Sequence, residues 1–79
     1  MRILNQDTDK KVDRIILYLT SAEAVEMLDS LEGLIKNPEG THEHVSSENF
    51  QKEITLCVYN PSTLNQFDER SKLLITEDK

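Results

Sequence analysis

Hydrophobic and polar residues alternate along some stretches of the chain and recur every three or four residues along others. The clearest strand-like stretches are "VDRIILYLT", residues 12–20, and "EITLCVYN", residues 53–60. Both are rich in β-branched and aromatic residues, which favour strands. The shorter runs at residues 2–5 and 41–46 predict two more strands. The turn residues in "NQDTDKK" and "SENFQK" predict hairpin connections between successive strands.

A helical period separates the two pairs of strands. Thr20 and Glu23 have the spacing of a capping box, which marks a helix N-terminus. Pro38 and Gly40 predict the end of this helix. An apolar stripe recurs at steps of three and four, and it predicts the buried face; its members are Ala24, Met27, Leu28, Leu31, Leu34 and Ile35. The opposite face holds Glu23, Glu26, Ser30 and Gly33.

The end of the chain fits two interpretations. In the favoured one, Asn60 caps a helix over residues 61–75 that has Pro61 at its first position. In the other, "KLLIT" is a final strand. The favoured interpretation predicts a single α+β domain over residues 1–79, in the order β-β-α-β-β-α. We expect a small two-layer sandwich, with one antiparallel sheet and the helices on one face.

Charge and composition narrow the classes of partner. The 79 residues carry 15 acidic and 9 basic side chains, for a net charge of −6. Phosphate backbones and anionic lipids repel such a chain, so nucleic-acid and membrane binding are not expected, whereas a basic protein partner is. No apolar run approaches the roughly 20 residues of a membrane-spanning helix. The single cysteine and the lack of an apolar signal region predict a cytoplasmic protein.

The two histidines are the first candidate for chemistry. His42 and His44 fall on the same side of a predicted strand, where Cys57 of the next strand could join them. Three such ligands could hold zinc, and an imidazole could activate the thiol as a nucleophile. The alternative is that both histidines are exposed strand residues and that the cysteine is a small apolar one. We expect no metal or cofactor, and both imidazoles on one side of the sheet near Tyr18 or Tyr59.

Two surfaces are candidates for partner binding. An acidic band along the helix could dock a basic protein, or it could simply be a solvated face; it contains Glu23, Glu26, Asp29 and Glu32. The open face of the predicted sheet could form a homodimer or bind a partner, unless the C-terminal segment covers it. That face would carry Ile16, Tyr18, Cys57 and Tyr59.

Motifs of enzymes are absent from the sequence. It contains no P-loop, no G-x-G-x-x-G, no G-x-S-x-G and no His-Glu-x-x-His. Its two glycines cannot form a glycine-rich phosphate loop. We therefore expect a protein that is not an enzyme.

From Tyr18 onward the chain resembles a group of short, mostly uncharacterised bacterial proteins. The resemblance lies in "LTSAEA" at the helix start, "HEH" in the following strand, "EITLCVY" and "FDER". Some small acidic proteins of this kind are grouped with immunity proteins of bacterial toxin systems. The resemblance implies a bacterial origin and an inhibitory role, and it transfers no catalytic residues.

These observations lead to one main hypothesis and two alternatives. The main one is a small acidic protein-binding module, in particular an immunity-type inhibitor of a basic toxin. The first alternative is a metal-binding or small enzymatic domain that uses His42, His44 and Cys57. The second is an inhibitor encoded by a phage or mobile element, by analogy with other small acidic proteins.

Overall fold

The computed structural model describes residues 1–37 and 42–79 of the chain. Its elements confirm the predicted α+β class and the order β-β-α-β-β-α, with a short 3-10 turn before the last helix. They are β1 (Leu4–Asn5), β2 (Lys10–Lys11), α1 (Ser21–Lys36), β3 (His42–Ser46), β4 (Glu53–Cys57), the 3-10 turn (Leu64–Gln66) and α2 (Glu69–Glu77). The helix stop predicted at Pro38 and Gly40 lies outside the described residues, as does Thr41.

The chain divides into two compact units. The terminal unit contains Met1–Leu17 and Leu64–Lys79, and the central unit contains Tyr18–Thr63. Each unit holds one antiparallel pair, β1–β2 in the first and β3–β4 in the second. The strands of the described residues therefore form two separate two-stranded sheets instead of one larger sheet. The single domain expected from chain length stays a prediction.

The β3–β4 hairpin confirms the predicted alternation of its residues. Its register pairs Val45 with Ile54 and His44 with Thr55, and the residues of "SENFQK" connect the two strands. Val45 is buried in the central unit, where α1 packs on both strands of the hairpin. Neighbours along a strand point to opposite faces, so His44 lies on the face away from the buried Val45.

Helix α1 begins as predicted but packs through a different row of side chains. The Thr20 hydroxyl accepts the Glu23 amide, and the Glu23 carboxylate accepts the Thr20 amide, which completes the capping box. The buried or half-buried positions recur about every three or four residues on one face of the helix; they are Glu23, Met27, Ser30, Gly33 and Leu34. Glu23, Ser30 and Gly33, predicted on the solvent face, therefore lie towards the hairpin.

The strand predicted over residues 12–20 is wrong in the structure. The β1–β2 ladder ends where the Val12 amide donates to the Ile3 carbonyl at 2.8 Å. Residues 14–20 then form no strand. A segment with high strand propensity becomes a strand only when another strand pairs with it. Residues 14–20 have no such partner, because β3 and β4 pair with each other. The predicted hairpin loop is confirmed in a shorter form, with Asn5 Oδ1 accepting the Asp7 amide at 3.0 Å.

The predicted start of the C-terminal helix is also wrong, because Asn60 forms a turn. Its Oδ1 accepts the amides of Ser62 and Thr63, which is how Asn-Pro sequences favour turns as well as caps. Helix α2 begins instead after Asp68, whose Oδ1 accepts the Ser71 amide at 2.7 Å. The "KLLIT" residues are helical, so the alternative of a final strand is wrong too.

Side chains from both ends of the chain hold the terminal unit together. Arg2 Nε donates to the Leu74 carbonyl near the end of α2 at 3.0 Å. Arg70 Nε donates to Asp9 Oδ1 in the β1–β2 loop, also at 3.0 Å. Leu74 is the buried apolar residue of this unit.

Within residues 1–37 and 42–79, no helix has the length and apolar character needed to cross a membrane.

Candidate functional site

The two histidines lie side by side on the outer face of the β3–β4 hairpin. Their ring centroids are 4.9 Å apart, with the rings nearly perpendicular. The strand register places Cys57 across from His42 and Thr55 across from His44. The prediction that both imidazoles share one side of the sheet is therefore confirmed.

His44 has two polar neighbours on β4. Its Nδ1 lies 2.8 Å from Glu53 Oε1 and 2.9 Å from Thr55 Oγ1. A carboxylate oxygen at that distance can only accept, so Nδ1 carries the proton and donates to Glu53. This tautomer leaves the Nε2 lone pair of a neutral His44 directed away from the carboxylate.

A carboxylate on the far nitrogen of a histidine is a familiar arrangement in metal centres. The described part of the chain, however, has no group of three His, Cys, Asp or Glu side chains placed to hold a metal ion. His42, His44 and Cys57 share a face without forming such a group. The arrangement serves the hairpin as a cross-strand polar contact.

Cys57 differs from an activated nucleophile. Cys57 is exposed at the surface of the hairpin, yet partial desolvation by its neighbours raises the pKa of its thiol above the ordinary value. A reactive cysteine needs a lowered pKa, because the thiolate is the attacking form. In this conformation Cys57 therefore stays protonated at neutral pH, as a small strand residue would.

The acidic band of α1 divides into one structural residue and three exposed ones. Glu23 Oε1 accepts the Thr20 amide and Oε2 accepts the Glu48 amide, so both of its oxygens are engaged. These backbone hydrogen bonds, that of Thr20 first, lower the pKa of Glu23. Glu26, Asp29 and Glu32 are exposed. They remain available to a partner, whereas Glu23 stabilises the central unit.

An exposed apolar row lies beside this band on α1. It comprises Leu28, Leu31 and Ile35, which are 55%, 39% and 73% exposed. Leu34, which directly precedes Ile35 in the chain, is only 1% exposed. The sequence indicated one wide apolar stripe and assigned all of it to the core. A two-stranded hairpin covers only part of that stripe, and the width of the stripe was the available signal that a second apolar surface exists.

The predicted open sheet face is more polar than expected. Tyr18 and Ile16 lie outside any strand, and Tyr59 follows the end of β4 at Cys57. Among the described residues the one contact between aromatic rings is that of His42 with His44. Neither tyrosine ring contacts the ring of His42 or His44 within the described residues. Tyr18 is instead 89% exposed and lies in an exposed apolar segment, residues 15–19, that precedes α1.

Comparison with family models finds no match for the chain, and comparisons with curated proteins and with solved structures find none either.

Proposed function

We propose that the chain is a non-enzymatic protein-binding module that docks a basic protein through the exposed apolar row of α1. The observation that carries this proposal is the exposure of Leu28, Leu31 and Ile35 on one side of a well-capped helix. Leaving such side chains in water is unfavourable by about 25 cal/mol for each Å². A row at helical spacing is the surface that helix-in-groove recognition uses.

Charge defines the partner's chemistry. Asp29 and Glu32 are exposed on the same helix, and Glu32 directly follows Leu31 in the chain. The chain as a whole also carries a net charge of −6, which adds to the negative potential near these two carboxylates. A complementary partner would have an apolar groove with lysine or arginine at its rim, and opposite charges would speed the encounter. The specific form that we favour is an immunity-type inhibitor of a basic toxin, supported by acidity and by the sequence resemblance.

A pair of designed peptides tests the surface without a known partner. One is an amphipathic helix with leucine on one face and arginine on the other; the second replaces arginine with glutamate. We expect the labelled arginine peptide to bind in fluorescence polarisation, and added salt to weaken that binding. Changing Leu28→Ser and Ile35→Ser together should abolish it, because the apolar row is lost.

A matched control keeps this test specific. Phe50 is an exposed aromatic residue in the hairpin loop with a φ of 59°, a value that asparagine tolerates well. Phe50→Asn removes an exposed apolar side chain elsewhere in the central unit and should leave peptide binding unchanged. Equal binding of both peptides, or unaltered binding by the Leu28/Ile35 variant, would contradict the proposal.

A further inference from the structure

We propose that residues 14–19 form a strand that pairs antiparallel with the same segment of a second copy of this chain, centred on Leu17. This inference is independent of the proposed function, because it uses a different surface. It starts from the backbone of "RIILYL", which is rich in strand-forming residues. Within the described residues, no amide or carbonyl of this segment makes a hydrogen bond.

Unpaired backbone groups beside apolar side chains are a template for strand addition. A second strand would satisfy every other amide and carbonyl along one edge of the segment. Pairing through the main chain needs little specificity from the partner, but it does need a partner segment that can itself become a strand. The same segment of another copy meets that requirement.

The exposed area is large enough to matter. The five side chains from Ile15 to Leu19 are between 43% and 89% exposed. They present on the order of 500 Å², compared with about 800 Å² per partner in a standard interface. Ile15 and Ile16 also line an open depression on the terminal unit with Met1 and Ile3. This depression adds apolar area beside the part of the segment that belongs to the terminal unit.

Charge favours a second copy over the basic partner proposed for α1. Residues 15–20 carry no charged side chain, and the opposite charges of the adjacent Asp13 and Arg14 cancel. Two chains of net charge −6 repel each other over most of their surfaces. They can meet at this segment without opposing carboxylates, and a basic protein would gain nothing from binding there.

An antiparallel register centred on Leu17 is self-complementary. It places Leu17 across from its own copy and Ile16 across from Tyr18 of the second copy. Aromatic residues opposite β-branched ones are among the favourable cross-strand pairs. A two-fold axis gives each such contact twice, as in other symmetric dimers.

Sedimentation equilibrium over a wide concentration range tests the association. We expect a reversible dimer whose dissociation constant rises by on the order of tenfold or more in the Ile16→Lys variant. Ile16 is 75% exposed, so the variant should fold, and circular dichroism checks that it does. Val25→Lys is the matched control, since Val25 is an exposed aliphatic residue on α1. It should leave the dissociation constant unchanged.

Cross-linking tests the register. In a Cys57→Ser background, Leu17→Cys should form a disulfide-linked dimer under mild oxidation, because the two sulfur atoms face each other across the axis. Ile16→Cys should cross-link far less. A monomer at millimolar concentration overturns the proposal, as does a dimer that Ile16→Lys leaves intact. Equal cross-linking at both positions overturns the pairing centred on Leu17.

Discussion

Glu23 on α1 accepts a hydrogen bond from the backbone amide of Glu48, 25 residues along the chain, at 2.9 Å. The other oxygen of the same carboxylate accepts the Thr20 amide at 2.8 Å. One side chain therefore completes the start of the helix and joins it to the hairpin loop. The sequence indicated the bond to Thr20, and the structure adds the bond to Glu48, which ties the start of α1 to the hairpin loop.

Replacing Glu23 should destabilise the central unit more than replacing any other acid of α1. Glu23→Ala removes both hydrogen bonds at once, whereas Glu26→Ala removes an exposed side chain and should leave stability within about 0.5 kcal/mol of wild type. Thr20→Ala, which loses only the cap, should cost about 1 kcal/mol. Urea unfolding followed by circular dichroism measures all three. Equal stabilities for the Glu23 and Glu26 variants would contradict the structural role.

Acid should weaken the fold through two carboxyl groups. Backbone hydrogen bonds lower the pKa of Glu23, and the Ser71 amide lowers the pKa of Asp68. A carboxyl with a lowered folded pKa stabilises the protein above its unfolded pKa, and that contribution is lost as pH falls through the folded value. Urea unfolding at a series of acidic pH values should show this loss.

Glu23→Gln provides the control for the pH effect. Glutamine keeps an acceptor oxygen but does not titrate, so the variant should lose less stability than wild type as the pH falls. Asp68→Asn should behave in the same way for the terminal unit, since asparagine also caps helices. Curves parallel to wild type for both variants would refute the assignment.

Gly33 offers a stabilising substitution. A Cβ at this position would lie 3.9 Å from Glu43 Oε1, an ordinary contact distance. Glycine inside a helix costs roughly 0.5–1 kcal/mol relative to alanine, so Gly33→Ala should raise the free energy of unfolding by about that amount. The reverse change at exposed Ala22 should lower it similarly. A destabilised Gly33→Ala variant would show that β3 approaches α1 more closely than described.

Neighbouring apolar rows of α1 should respond very differently to truncation. Leu34 is 1% exposed and Leu28 is 55% exposed. Leu34→Ala should cost about 2–5 kcal/mol, because it leaves a cavity. Leu28→Ala should change stability by less than about 1 kcal/mol, since the side chain is already largely in water. Comparable losses in the two variants would mean that Leu28 is covered in solution.

Local signals predicted the central unit well. The capping box at Thr20, the alternation around His44 and the turn residues between β3 and β4 each involve near neighbours in the chain. Their physical causes act over a few residues, so a single sequence suffices to find them. The shared face of His42 and His44 follows from the strand period alone.

The errors concern which segments pair or pack with each other, and this depends on residues far apart in the chain. Nothing local shows that residues 12–20 lack a partner strand, because their propensity is as strong as that of β4. Asn60 and Asp68 are both good caps, and only the Asn60 turn excludes the earlier start. The packed row of α1 includes Glu23, and its contact with Glu48 cannot be seen in the helical period. The exposed row of Leu28 and Ile35 was missed because the whole apolar stripe was assigned to the core, although a two-stranded hairpin covers only part of its width.

The terminal unit is built from segments at opposite ends of the numbering, through Arg2 with Leu74 and Arg70 with Asp9. On a ribosome, the early segment must therefore wait for the late one, while α1, β3 and β4 can already assemble from neighbouring residues. Closing so long a stretch of chain is slow compared with forming a local hairpin. The apolar residues between Val12 and Leu17 consequently emerge long before α2, so during synthesis they lack the rest of their unit.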